Sequence, residues 1–285
     1  MAYEIDIMTR ADRNSITGVI KLECVRVEKP WGRDRLPAPF AHEQGTRIGE
    51  IWFPAPEDAP TPLLVKYLFT GEALSVQVHP DDSQAHARGL SSGKEECWYI
   101  VDAEPGATLG IGTKRPLAPE QLRAAALSGE IESLMDWYQA EAGQIYHIPP
   151  GTIHAIGAGI SLIEVQQNSD ITYRLYDYGR PRALHLDDAV AVAKAIPFPP
   201  DARKAVDARQ SGVLLDAAHF TLAQITDADQ SPLDTASGMM NIIPVRGKVT
   251  LGAIALHPGE CALAPAGTQM HLAPDAQCLV AWPKA

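Results

Sequence analysis

Three short stretches of this 285-residue sequence carry side chains that bind divalent metals: Gln77-Val78-His79, Lys94-Glu95-Glu96 and, further along, His154. A zinc-type ion takes about four nitrogen and oxygen ligands, held rigidly from several segments of chain. On a strand, residues i and i+2 share a face, so Gln77 and His79 are presented together. The same alternation puts Lys94 and Glu96 on one face and Glu95 on the other. His154 ends the stretch Pro-Pro-Gly-Thr-Ile-His, where Pro150 and Gly151 fix a turn that aims the imidazole. His79, Glu96 and His154, with Gln77 as fourth ligand, therefore form a candidate site for one divalent metal. Taken singly, the residues have plainer readings: Gln77 as a polar strand residue, His79 as a loop histidine ahead of Pro80. Of the remaining histidines, His147 reads as a barrel residue, and His42, His86, His185, His219 and His257 as loop, turn or surface residues.

Ligands drawn from three separated segments need a scaffold of short strands. Between residues 48 and 78 the text supplies one, alternating short apolar runs with Pro and Gly breaks. Strand-like runs continue at 97–101 and 107–112, and again at 144–149, 160–166 and 171–178. The segment 119–141 differs. It opens on Pro119-Glu120 and spaces Leu122, Leu127, Ile131, Leu134 and Trp137 as a helix does, with Gly129 allowing either one helix or two. A second helix is expected over 186–195, then a linker at 196–204, then strands to the end. An internal repeat ties the tail to the middle. Gly143, Pro149, Gly151 and His154 recur, at the same spacing, as Gly259, Pro265, Gly267 and Met270. Long-period repetition of this kind points to duplicated domains. With Met270 in place of His154, the second copy reads as structural and without metal; His271, one residue on, would face the other way.

The surroundings of the candidate site add charge. Reading 160–167 as a strand puts Leu162, Glu164 and Gln166 on one face, and reading 171–178 as another groups Thr172, Arg174 and Tyr176. Glu164 and Arg174 could thus face the metal. An inward arginine is costly unless it is paired or aimed at an anion. A structural Arg174–Glu164 ion pair and an anion-binding role both remain open on spacing alone.

Bulk properties narrow the class. Apolar residues make up 46% of the chain, aromatics only 6%, and Gly (22) and Pro (23) are plentiful, which favours short strands and turns. Acidic residues outnumber basic ones, 35 to 24, with no basic run, which argues against nucleic acid as a partner. No stretch approaches the roughly 20 apolar residues of a membrane helix. The N-terminal ten residues contain no apolar run of the signal-peptide type. Cys24, Cys97, Cys261 and Cys278 are widely spaced, with no CxxC pair, and read as reduced, mostly buried thiols of a cytoplasmic protein.

The Gly–Pro–Gly–His pattern resembles the second conserved motif of the cupins, whose barrels often hold a metal on a His-x-His pair, a Glu and that final His. Gln77-Val78-His79 replaces the His-x-His pair. More specifically, the stretches QVHPDD, GKEECWYI and PPGTIHAIGAGISLIEVQQNSDITYRLYDYGR, with KPWG and IGEIWF before them, resemble the short bacterial form of type I phosphomannose isomerase. The resemblance runs from about Lys29 to Arg180 and more weakly through the tail. It implies a mainly β fold of two cupin-type, jelly-roll barrels with a small helical segment at 117–141. Residues 1–196 would form the metal-containing catalytic domain and 197–285 a cupin-like domain without metal. It implies zinc on Gln77, His79, Glu96 and His154; active-site roles for Arg174, Lys94 and Glu164; and contact of Lys94, Arg174 and Arg180 with a phosphorylated sugar. The implied reaction moves a proton between C1 and C2 through a cis-enediol. Lys94 and Glu164 are the natural proton carriers if their pKa values are brought toward neutrality. Two rivals remain: another metal-dependent cupin enzyme (a different sugar isomerase or an oxygenase), and a non-catalytic sugar-binding cupin.

Overall fold

A computed structural model describes residues 18–40, 45–226 and 229–284; His42 and the N-terminal ten residues lie outside them. The architecture is mainly β, with four antiparallel sheets stacked in layers and a small helical cover at one end. A seven-stranded sheet forms the centre, in the order Arg203–Ala205, Gln144–Ile148, Glu96–Ala103, Ile160–Gln167, Leu63–Phe69, Ile48–Phe53, Val25–Arg33. One of its faces packs on a five-stranded sheet: Tyr173–Tyr176, Val76–Val78, His154–Ile156, Thr108–Thr113, Met135–Gln139. The other packs on a six-stranded sheet built mostly from the tail, whose far side carries a three-stranded sheet.

This stacking explains why the central strands read as continuous apolar runs instead of alternating ones. Every residue of Leu63–Phe69 is buried. Leu63, Val65, Tyr67 and Phe69 meet Phe220, Leu222, Ile243 and Leu279 of the six-stranded sheet. Leu68 faces the other way, with Trp98, Ile100 and Leu162, between the seven- and five-stranded sheets. A strand covered on both faces has no solvent side to mark with polar residues.

The helical segment departs from its expected extent. Helices Pro119–Ser128 and Ile131–Leu134 are separated at Gly129, whose φ of 81° is left-handed, so the two-helix reading holds. Met135–Gln139, however, is a strand, paired with Thr108–Thr113 at the sheet edge. Trp137 and Tyr138 favour that pleated position, and Leu127, placed on the helix's apolar face by spacing, is exposed. The next helix, Leu186–Val192, stops short of residue 195. The expected linker is partly ordered into sheet: Arg203–Ala205 pairs with Gln144–Ile148. Ile20–Lys21 pairs with Ala262 and Leu263 in the six-stranded sheet. Strands therefore cross the 196/197 boundary in both directions.

The internal repeat is visible in the backbone. Gly143, Gly151, Gly259 and Gly267 all have positive φ, between 82° and 88°. Met270, at the position of His154, is buried in an apolar cluster with Leu251 and Leu256, and His271 is exposed. The two equivalent turns differ in their surroundings. A Cβ at Gly151 would lie 3.0 Å from Lys194 Cγ and 3.1 Å from Val192 O, whereas nothing lies within 4 Å of one at Gly267. Gly267→Ala should cost about 1–2 kcal/mol for the left-handed backbone alone. Gly151→Ala should cost more, about 2–3 kcal/mol, since the packed turn must also shift. Chemical denaturation of the two variants checks the difference. All four cysteines are free; Cys97, Cys261 and Cys278 are buried and Cys24 is exposed.

Candidate metal centre

Strand register brings the expected ligands together. His154 pairs with Gln77 on one side of the five-stranded sheet, and Arg174 pairs with Gln77 on the other. In the facing sheet, Glu96 pairs with Gln166 and Trp98 with Glu164. One potential ligand atom each from His79, Glu96 and His154 lie within 4.8 Å of one another, and all three residues are buried. His79 Nε2 is 3.5 Å from Glu96 Oε2, and His154 Nε2 is 3.4 Å from Glu96 Oε1. The Gln77 amide reaches 3.2 Å from His154 Nε2. Its nitrogen faces the histidine while Oε1 accepts from Ser75 Oγ at 3.1 Å. Rotating the amide by half a turn directs the oxygen inward, and the Ser75 hydroxyl can accept as readily as donate.

The donor set fits a divalent ion on three counts. His79 Nδ1 lies 2.7 Å from the Ile171 carbonyl and His154 Nδ1 2.9 Å from that of Thr152. A ring N–H given to a carbonyl at Nδ1 leaves the Nε2 lone pair free to coordinate. Burial, reinforced by the Lys94 charge, holds His79 well below its usual pKa; burial likewise holds His154 at about 4, outweighing the Thr152 carbonyl. Both rings are therefore neutral, as ligands must be. Finally, neither Glu96 oxygen accepts a well-formed hydrogen bond, although Lys94 Nζ stands 2.7 Å from Oε2. Lys94 offsets part of the cost of burying this carboxylate, and a metal cation would satisfy the oxygens left without a well-formed hydrogen bond.

Charges around the triad are ordered. Burial and then the nearby Glu164 charge push Glu96 up, with Lys94 opposing. Burial would raise Glu164 too, but Lys94, Lys66 and the Trp98 indole N–H (3.1 Å) hold it below the ordinary carboxylate range. Burial would lower Lys94; Glu164 and Glu96 more than reverse that. Lys94 and Glu164 are thus driven away from neutrality, contrary to the sequence expectation: a persistent ammonium beside a persistent carboxylate, 3.8 Å apart. Each is the other's counter-charge, and that mutual attraction is what separates their titrations.

Above the triad lies a cavity of about 290 Å³, lined in part by Gln77, Lys94, Glu164 and Arg174. Arg174 does not pair with Glu164. Its Nε donates to the Ala183 carbonyl at 3.0 Å, and Glu164 turns to Lys66 and Lys94. Tyr176 leaves the face it was expected to share with Arg174. The register slips between them, and the Tyr176 ring meets Gly129 on the helical side. Arg180 is not among the lining residues: it donates to the Ala73 carbonyl and lies 3.4 Å from Asp177. Arg182 lines the cavity instead, clamped on Asp177 by two bonds of 2.6 and 2.7 Å. Lys66, also in the wall and buried, escaped the sequence reading. Its signal was there: one lysine inside the otherwise apolar run 63–69. Nothing in the sequence distinguishes Arg182 from Arg180.

Fold and site together define a layered β enzyme with a candidate metal-binding triad beneath a cationic cavity. No protein-family model matches the chain. It is 34% identical over 217 residues to the mannose-6-phosphate isomerase of Streptococcus mutans, covering 72% of this chain and 68% of that one. It is 33% identical over 261 residues to mannose-6-phosphate isomerase ManA of Bacillus subtilis, covering 83% and 82%. A crystal structure of the Bacillus subtilis mannose 6-phosphate isomerase superposes with a TM-score of 0.71 at 24% identity, over 92% of this chain and 99% of that one. The chain belongs to the mannose-6-phosphate isomerase family.

Proposed function

We propose that the chain interconverts mannose 6-phosphate and fructose 6-phosphate in the cavity above His79, Glu96 and His154. The observation that carries the reading is the buried Lys94–Glu164 ion pair, 3.8 Å apart, standing between that triad and a cation-lined cavity. His79, Glu96, His154 and, through its amide oxygen, Gln77 would hold one divalent ion, and the nitrogen–oxygen set suits zinc. Such an ion, when bound, polarises a sugar carbonyl and stabilises the negative charge that develops on it.

The chain's own residues supply the rest. Ionised Glu164 would take the proton from the carbon beside the carbonyl and return it to the neighbouring carbon, while the matching proton shift runs between the two sugar oxygens with the Lys94 ammonium hydrogen-bonding the enediolate. Trp98 fixes the Glu164 carboxylate, and Lys66 keeps it ionised. Arg174, which makes no ion pair among the described residues, is free to meet an anion: the enediolate or the phosphate. Lys29 and Arg182 extend the positive wall toward that phosphate. Catalysis is assigned to the first cupin-type unit, 1–196, with 197–285 as its metal-free partner. The free cysteines support a reducing, cytoplasmic setting.

Coupling fructose 6-phosphate formation to a dehydrogenase readout tests the reaction. Turnover of mannose 6-phosphate with zinc, manganese or cobalt supplied is expected, and none with any of the three would remove the reading. Arg174→Ala should keep its metal while kcat/KM falls about 10²-fold, the usual loss for one preorganised charge-stabilising donor. Metal content and steady-state kinetics of the same sample check both halves.

A further inference from the structure

Glu95, between Lys94 and Glu96, points away from the metal centre, yet its surroundings are as ordered as the centre itself. It is buried against the six-stranded sheet, on the face of Glu96–Ala103 opposite the ligands. One carboxylate oxygen lies 2.9 Å from His147 Nε2; the other accepts the His219 backbone N–H at 2.9 Å and lies 2.7 Å from His219 Nδ1. His219 sits in the tight turn between Gly212–Asp216 and Phe220–Ile225, so it reaches Glu95 from the tail's sheet. Its other ring nitrogen, Nε2, is 3.2 Å from Asp82 Oδ2. Asp82 Oδ1 accepts from the Gly93 N–H at 2.7 Å and from Gln167 Nε2 at 2.9 Å. Gln167 Oε1 in turn accepts the Glu95 N–H at 2.9 Å. The contacts close into a ring: His219, Glu95, Gln167, Asp82 and back to His219.

Each member of the ring other than His219 is a short step from the site. Asp82 follows His79 by three residues, Glu95 lies between Lys94 and Glu96, and Gln167 follows Glu164 by three. Gln167 already joins the Asp82 and Glu95 segments, and His219 adds a second link between them, from the tail's sheet. We propose that His219 is a positioning residue, contributed by the metal-free half of the chain, which locks the segments carrying His79, Lys94–Glu96 and Glu164 in their catalytic register. His219 touches no ligand directly, so its effect would run through the segments it joins, where an ångström of misplacement of catalytic groups can cost up to about a hundredfold in rate. The turnover part rests on the isomerase reading; the metal-affinity part does not.

The test compares His219→Ala, His219→Asn and Leu222→Ala in the full chain. Asparagine can renew the bond to Glu95 from the Nδ1 position, while Leu222→Ala loosens the apolar contact between the same two sheets without touching the ring. Three quantities are read: zinc affinity by competition with a chelator, the visible spectrum of the cobalt-substituted protein, and kcat against KM. His219→Ala should weaken zinc binding about tenfold, shift the cobalt bands and lower kcat about tenfold with KM little changed. His219→Asn should recover the part of the loss that passes through Glu95, since it leaves the Asp82 contact unmade. Leu222→Ala should lower the melting temperature with affinity, spectrum and kcat unchanged. His219 is about one-third exposed, so its replacement leaves the core intact. Unchanged affinity and spectrum in His219→Ala would overturn the proposal, as would the same losses in Leu222→Ala. If the wild-type chain binds zinc but turns over no mannose 6-phosphate, the isomerase reading fails, and the affinity and spectral comparison still decides the role of His219.

Discussion

Glu96→Ala should empty the metal site and lower kcat/KM by more than about 10³-fold, the largest effect expected of any single substitution here. Glu96 is the one anion in the triad, and its two oxygens face the two histidine Nε2 atoms at 3.5 and 3.4 Å. Without it, two neutral imidazoles and an amide remain, a set too weakly donating to retain a divalent ion against dilution. The same substitution leaves the Lys94 ammonium short of one of its two buried counter-charges, with Glu164 alone at 3.8 Å. Stability should respond in a telling way. In metal-free protein the alanine variant should melt somewhat below the parent, because the buried Lys94 ammonium loses its counter-charge at 2.7 Å. Metal-loaded parent should melt higher than both, because an ion that binds only the folded state stabilises it by mass action. Elemental analysis and calorimetry, with and without added zinc, check these statements. Full metal occupancy in Glu96→Ala would place the ion elsewhere.

Glu164→Gln should do the converse, retaining the metal while kcat falls by about 10²–10⁴-fold, the span associated with loss of a positioned acid or base. Glutamine keeps the shape of the side chain and an acceptor for the Trp98 N–H, so the pocket should not collapse. Removing the Glu164 charge also removes one of the two influences that push Glu96 up, so metal binding should be no weaker than in the parent. KM should change little, because Lys29, Arg174 and Arg182 on the cavity wall, to which we propose the substrate is anchored, are untouched. Stopped-flow or steady-state rates alongside metal content distinguish this outcome from a structural one. Loss of metal in Glu164→Gln, or an unchanged kcat, would take the proton-transfer role from this residue.

Why some of this could be read in the sequence, and some could not, follows from the range of the forces concerned. Gln77 with His79, and Lys94 with Glu96, were legible because strand alternation is local and strict. His154 was legible because Gly151 must adopt a left-handed turn just ahead of it. The duplicate turn at Gly259 and Gly267 was found for the same reason. Tyr176 was misplaced because a one-residue slip in pairing, which no spacing rule reveals, sends it to the other face. Met135–Gln139 was misread because a sheet edge nearby decides whether that segment pairs or coils. The chain crossings at Ile20–Lys21 and Arg203–Ala205 depend on partners more than fifty residues away. Arg180 and Arg182 differ only in which of them Asp177 clamps against the cavity, a tertiary choice between two adjacent cations. The ring through His219 was equally hidden, since it joins four segments that local patterns treat as loop, turn and strand ends.

The claim on which everything else depends is that one divalent ion, held by His79, Glu96 and His154, is required for isomerisation. Stripping the protein with a chelator and titrating zinc back, while recording bound metal and mannose 6-phosphate turnover in the same samples, tests it most directly. Turnover should start from nothing, rise in proportion to bound zinc and level off at one ion per chain, with no rise at all in His154→Ala. Full turnover in the stripped protein, or activity restored to His154→Ala by stoichiometric zinc, would contradict it.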